Sequence, residues 1–75
     1  MKEIVEMIAK ALVDHPEQVH VEESDEDRHT VLRLHVAEDD MGKVIGKQGR
    51  IAKAMRTVVK AAATREEKKV TVEII

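Results

Sequence analysis

A chain of 75 residues with no cysteine and no Phe, Tyr or Trp has to form one small core from aliphatic side chains, without disulfides or thiolate-held metal. Its net charge is only −2, and the missing aromatics exclude the base-stacking platforms of an RRM or a typical OB-fold. No apolar run approaches a membrane span and no signal pattern opens the chain, so a cytoplasmic protein with no membrane partner is expected.

Residues 2–13 read as a helix, with Ile4, Ile8, Ala11 and Leu12 on one face and Lys2, Glu3, Glu6 and Lys10 mostly elsewhere. Asp14-His15-Pro16 ends it, because proline disfavours a helical residue before it. Val19 and Val21 then alternate with Gln18, His20 and Glu22 as a first strand. The run from Glu23 to Arg28 reads as a charged turn, with Ser24, Asp25 and Asp27 able to bond locally to the backbone. Thr30 to Ala37 is the clearer strand, placing Leu32, Leu34 and Val36 opposite Val31, Arg33 and His35.

Glu38-Asp39-Asp40 supplies an N-cap and negative charge for a short helix over Met41 to Ile45. A loop from Gly46 to Gly49 breaks that helix, and a longer one follows from Arg50 to Thr64. Its apolar face groups Ile51, Met55, Val58, Val59 and Ala62, while Arg50, Lys53, Arg56 and Lys60 share another. Ala52, Ala54, Ala61 and Ala63 fill the flanks. Glu66 to Lys69 is a polar connector, and Val70, Val72 and Ile74 alternate in a last strand. The first two strands are close enough for an antiparallel hairpin, and the two-helix connection allows the third to lie parallel. The expected fold is α+β, in two layers: a three-stranded mixed sheet covered on one face by three helices.

Charge is distributed unevenly along these elements. Residues 1–40 carry twelve acids against four Lys or Arg, whereas residues 41–65 carry seven Lys or Arg and no acid. Screening keeps the distant acids from cancelling the potential of the basic segment. The glycine loop lies inside that segment, in Val44-Ile45-Gly46-Lys47-Gln48-Gly49-Arg50-Ile51. Two glycines three apart also occur in plain helix-turn-helix corners. Here they are joined to an apolar pair, a lysine within the loop and a one-sided basic helix, which together describe a polyanion site at a helix N-terminus.

Competing motifs fail on chemistry. Gly42-x-x-x-Gly46-Lys47-Gln48 is one residue short of a P-loop, and Gln48 replaces the hydroxyl that would hold Mg²⁺, so no NTPase and no nucleotide cofactor is expected. Gly42-x-x-x-Gly46 lacks the apolar span of a membrane dimer motif. His15, His20, His29 and His35 have no helical ligand spacing. Three of them can approach across a hairpin, but they read as exposed strand residues and not as a metal site. The acids from Glu22 to Asp27 lack the glycine and spacing of a Ca²⁺ loop. No nucleophile–base grouping or paired carboxylates indicate an enzyme.

The octapeptide resembles the signature of KH domains, and the helix-strand-strand-helix-helix-strand order is similar to the bacterial, type II arrangement. The resemblance covers the whole chain, as a single KH domain over 1–75. Length and pattern are similar to the small single-domain bacterial KH proteins, the KhpA- or YlqC-like group. It implies single-stranded RNA as partner, with Gly46, Lys47, Gln48 and Gly49 clamping the sugar-phosphate backbone across about four nucleotides. Ile45, Ile51 and nearby residues of the second strand would floor the groove. Arg50, Lys53 and Arg56, with Lys43, would add phosphate contacts. The same resemblance implies an RNA chaperone or post-transcriptional regulator. It also implies a homodimer, and a heterodimer with a larger KH-domain protein carrying a second nucleic-acid-binding domain. Two alternatives fit the same residues: a protein-interaction module dimerising through the loop and the alanine-rich helix, and a ribosome-assembly accessory factor.

Overall fold

A computed structural model describes residues 1–75. Helix α1 (Lys2–Leu12) turns Val5 and Ala9 fully into the interior and lays Ile4 and Ile8 beside them. The buried stripe is thus rotated from the expected face, and Ala11 and Leu12 stay at the surface. The chain is extended at Val13 and bends at Asp14, and a single 3-10 turn over Pro16–Gln18 leads into the sheet.

Strands β1 (His20–Glu26) and β2 (His29–His35) pair antiparallel, and β3 (Lys69–Ile74) pairs parallel to β2 on its other side. The order is β1-β2-β3, as the short and long connections require. The acidic run does not form the expected turn. It is strand as far as Glu26, and only Asp27 and Arg28 turn. Every residue from Glu23 to Glu26 has a β2 partner, and Thr30 Oγ1 donates to Asp25 Oδ1 at 2.6 Å. Continuous pairing outweighs the poor strand propensity of acids, and their charge on this edge strand discourages further strand addition. Asp27, at φ 55°, supplies the left-handed residue that so tight a hairpin demands.

Helices α2 (Met41–Ile45) and α3 (Arg50–Arg65) join α1 over one face of the sheet. Beneath them lie Val21 of β1, Leu32 and Leu34 of β2, and Val72 of β3, closed by Val44, Met55 and Val59. The α3 stripe also differs from expectation. Ala52 and Ala63, assigned to the flanks, are buried, whereas Val58 is 50% exposed. Small side chains at both ends of the stripe let the helix approach the strands, which rotates Val58 outward. The fold is the expected two-layer α+β arrangement.

The other sheet face carries His20, Glu22, His29, Arg33, His35, Thr71 and Glu73. Glu22 Oε1 lies 3.1 Å from His35 Nε2 and 4.0 Å from His20 Nε2. Arg33 approaches Glu73 to 3.7 Å, and His29 Nε2 lies 2.7 Å from Thr71 Oγ1. His20 and His35 are cross-strand neighbours, and His29 stands apart at the far end of β2.

Candidate nucleic-acid interface

Helix α2 has five residues, too few to hold its own geometry. It stops at Gly46, whose N–H donates to Gly42 O at 2.8 Å. Gly46 adopts φ 78° and ψ 172°, a region essentially closed to residues with a side chain. A Cβ there would also stand 2.6 Å from Ile51 Cγ1, so the glycine is required twice over. Lys47 to Gly49 form one tight turn in which Gln48 takes φ 59° and Gly49 φ 73°. Gly49 N–H donates to Gly46 O at 3.1 Å and closes the turn. An added Cβ at Gly49 would meet nothing within 4 Å, so only its backbone angle calls for glycine.

This corner projects Lys47 and Gln48 into solvent and starts α3 without any side-chain cap. The 16-residue helix directs its positive dipole end at the loop. Lys47 and Lys53 are exposed and pair with no acid. Arg50 Nη2 donates only to Gln48 Oε1, at 3.3 Å, which draws these two loop-side residues together. Arg56 is placed differently. Its Nε donates to Val72 O at 3.1 Å, fastening α3 to the free edge of β3. Lys43 pairs with Asp14 and lies 3.5 Å from Asp40 Oδ1, so acids already surround its charge.

The apolar surface beside the loop departs from expectation. Ile45 is 36% exposed and Ile51 half-buried, but Leu32 and Leu34 of β2 are wholly covered by helices. A separate apolar groove runs between α1 and α3, lined by Ile8, Leu12, Ile51, Ala54, Met55 and Val58, with Arg50 at its rim. Nothing local in the sequence marks which helix lies opposite α3. The surplus of apolar residues on α1, beyond what one buried stripe needs, was the available signal.

Sequence reading also missed Asp40. It occupies the N-cap position of α2 but makes no side-chain cap there. Its fully buried carboxylate turns back instead to accept the N–H groups of Asp14 at 3.1 Å and His15 at 3.0 Å. Burial pushes its pKa up, but those two backbone donors and the Lys43 charge outweigh burial and hold it below the ordinary aspartate value. Lys43 is held above its ordinary value, chiefly by its bond to Asp14.

An α-β-β-α-α-β order, a mixed sheet in the order β1-β2-β3 and a Gly-x-x-Gly corner between α2 and α3 define a type II KH domain. The family model described as KhpA/KhpB, KH domain, matches residues 2–74, and the chain belongs to that family. It is 68% identical over 75 residues to the RNA-binding protein KhpA of Clostridium perfringens, covering 100% of both chains. It is 49% identical to the protein of the same name from Listeria monocytogenes serovar 1/2a, over 100% of this chain and 99% of the other. Among solved structures, Aquifex aeolicus Era bound to GDP.AlF4- is similar in fold, with a TM-score of 0.58 and 22% identity. The match covers 96% of this chain and 28% of the Era chain. Era in complex with MgGDPNP and nucleotides 1506–1542 of 16S ribosomal RNA aligns with a TM-score of 0.54 and 23% identity.

Proposed function

We propose that this chain binds single-stranded RNA without catalysis, acting in the cytoplasm as an RNA chaperone or post-transcriptional regulator. The observation that carries the reading is the Gly46–Gly49 corner, which opens onto an uncapped basic helix with Lys47, Arg50 and Lys53 unmatched by acids. The name RNA-binding protein, borne by relatives that match over 99–100% of their length, supports it. Phosphates would meet the loop backbone and these cations, while Ile45 and Ile51 contact the bases. Arg56 contributes its charge from an anchored position. One domain of about four nucleotides' reach binds modestly, and its affinity falls steeply with salt. The double substitution Lys47→Asp, Gln48→Asp adds two acids at solvent-exposed positions and should abolish retention of a short RNA in a gel-shift titration. Retention equal to that of the unsubstituted chain would remove the site assignment.

The exposed groove between α1 and α3, with Leu12 37% and Val58 50% exposed, favours a second reading. A second copy, or a larger KH-domain partner with a further nucleic-acid-binding domain, would dock there beside the loop. Pairing would lengthen the RNA footprint and raise avidity. Light scattering with and without the RNA separates the readings: competition between dimer and RNA means one surface serves both. A role as a ribosome-assembly accessory factor rests on the same chemistry and is tested by co-sedimentation with ribosomal subunits.

A further inference from the structure

The loop is presented by an element that cannot position itself. Helix α2 is a five-residue helix, about 7.5 Å long, and an isolated helix of that length does not persist in water. Its orientation therefore depends on tertiary anchors. Val44 is one, fully buried in the core. Ile51 packs against the Gly46 backbone at the far end. At the near end the apolar contacts are the small buried Ala37 and the half-buried Met41, and the fully buried Asp40 stands between them in the chain.

We propose that Asp40 is a positioning residue for the Gly46–Gly49 loop, pinning the start of α2 to the end of α1 through a clamp that Lys43 closes. The proposal rests on the reading of the loop as an RNA clamp. Each Asp40 oxygen accepts one backbone N–H from the segment that follows α1, Oδ1 from Asp14 and Oδ2 from His15. Those two residues lie 26 and 25 positions away in the chain, so the carboxylate joins two segments that no secondary structure links. Lys43, one turn along α2, reaches back to the Asp14 carboxylate and to Asp40 Oδ1. The result is a closed circuit: Asp40 to the Asp14 backbone, the Asp14 side chain to Lys43, and Lys43 to Asp40. Rotation of α2 about its axis breaks at least one of these links. Two ionic oxygens facing two N–H donors form a complementary set that asparagine cannot reproduce, because its NH₂ group would face a donor.

The circuit also assigns Lys43. Although it lies four residues before Lys47, its ammonium is held on the α1 side of α2 by two carboxylates, so it orients the loop rather than contacting phosphate.

The test compares Asp40→Asn and Lys43→Gln with the unsubstituted chain, using amide hydrogen exchange and the binding of a short fluorescent single-stranded RNA across a range of salt concentrations. In Asp40→Asn the amides of Gly46 and Gly49 should exchange at least about tenfold faster, while the amides of β2 keep their protection. If about one molecule in ten then holds the loop in place, the apparent Kd rises about tenfold, with no change in its salt dependence. Lys43→Gln, at an exposed position, should speed loop exchange and also leave the salt slope unchanged. A slope reduced by about 0.7 in Lys43→Gln means a lost phosphate contact and overturns the proposal. Loop exchange and Kd unchanged in Asp40→Asn overturn it equally. Should Asp40→Asn fail to fold, Lys43→Gln decides by exchange and slope. If the unsubstituted chain binds no RNA, the functional reading falls alone, and the exchange measurements still uphold or refute the clamp.

Discussion

The chain has only three glycines, and they should respond to alanine in three different ways. Gly46 carries both possible penalties. Its φ of 78° and ψ of 172° lie where a side chain costs about 1–3 kcal/mol. The new methyl would also sit 2.6 Å from Ile51 Cγ1 and 2.9 Å from both Ile51 Cβ and Cδ1. Because Ile51 Cβ is fixed to the α3 backbone, the helix itself must shift, and overpacking of this kind adds about 1–3 kcal/mol. Gly46→Ala should therefore cost about 3 kcal/mol or more, a large share of the roughly 4–11 kcal/mol expected of a domain this size. Gly49→Ala meets open space and has only the left-handed backbone to resist, about 1–2 kcal/mol. Gly42 is helical and open, so alanine should stabilise by up to about 1 kcal/mol. Urea unfolding of the three variants measures these values directly, with the slope of the transition unchanged. Equal losses at Gly46 and Gly49, or a loss at Gly42, would refute the reasoning.

Helix α3 ends in a Schellman motif, with Lys68 N–H donating to Ala63 O, Glu67 N–H to Thr64 O, and Glu67 in the left-handed position at φ 56°. Glu67→Gly removes that strain and should raise stability by about 0.5–1 kcal/mol, seen as a Tm increase of a few degrees. Asp40, held below its ordinary value of 3.8, contributes stability above that pH and loses it as pH falls through the lowered value. Lys43, held above 10.5, contributes below that pH and loses its contribution as pH rises through the raised value. The unfolding free-energy difference between the unsubstituted chain and Asp40→Asn should therefore shrink as pH falls below about 4, where the Asp40 carboxylate begins to lose its charge. Lys53→Gln removes a cation with no acidic partner and should lower the salt slope of RNA binding by about 0.7 without altering Tm; an unchanged slope removes Lys53 from the phosphate track.

The residues of the candidate site were legible because their signal is local. Gly46 and Gly49 are needed for backbone angles, and Lys47, Arg50 and Lys53 are neighbours along one turn and one helix. The mixed sheet was legible from connection lengths, since a hairpin forces antiparallel pairing and two helices permit a parallel return. What the sequence left open belongs to pairs distant in the chain. The acids from Glu23 to Glu26 look like a turn until each is paired to β2. Asp40 looks like a cap for its own helix until folding brings two unpaired N–H groups, from Asp14 and His15, within reach of its oxygens. Lys43 looks like another phosphate contact until Asp14 stands beside it. Val58 looks buried until the approach of Ala52 and Ala63 to the sheet turns it outward. By itself the sequence determined which backbone can form the corner and which charges surround it. Only the tertiary structure decided which of those charges remain unpaired, because burial and pairing are set by residues that meet when the chain folds.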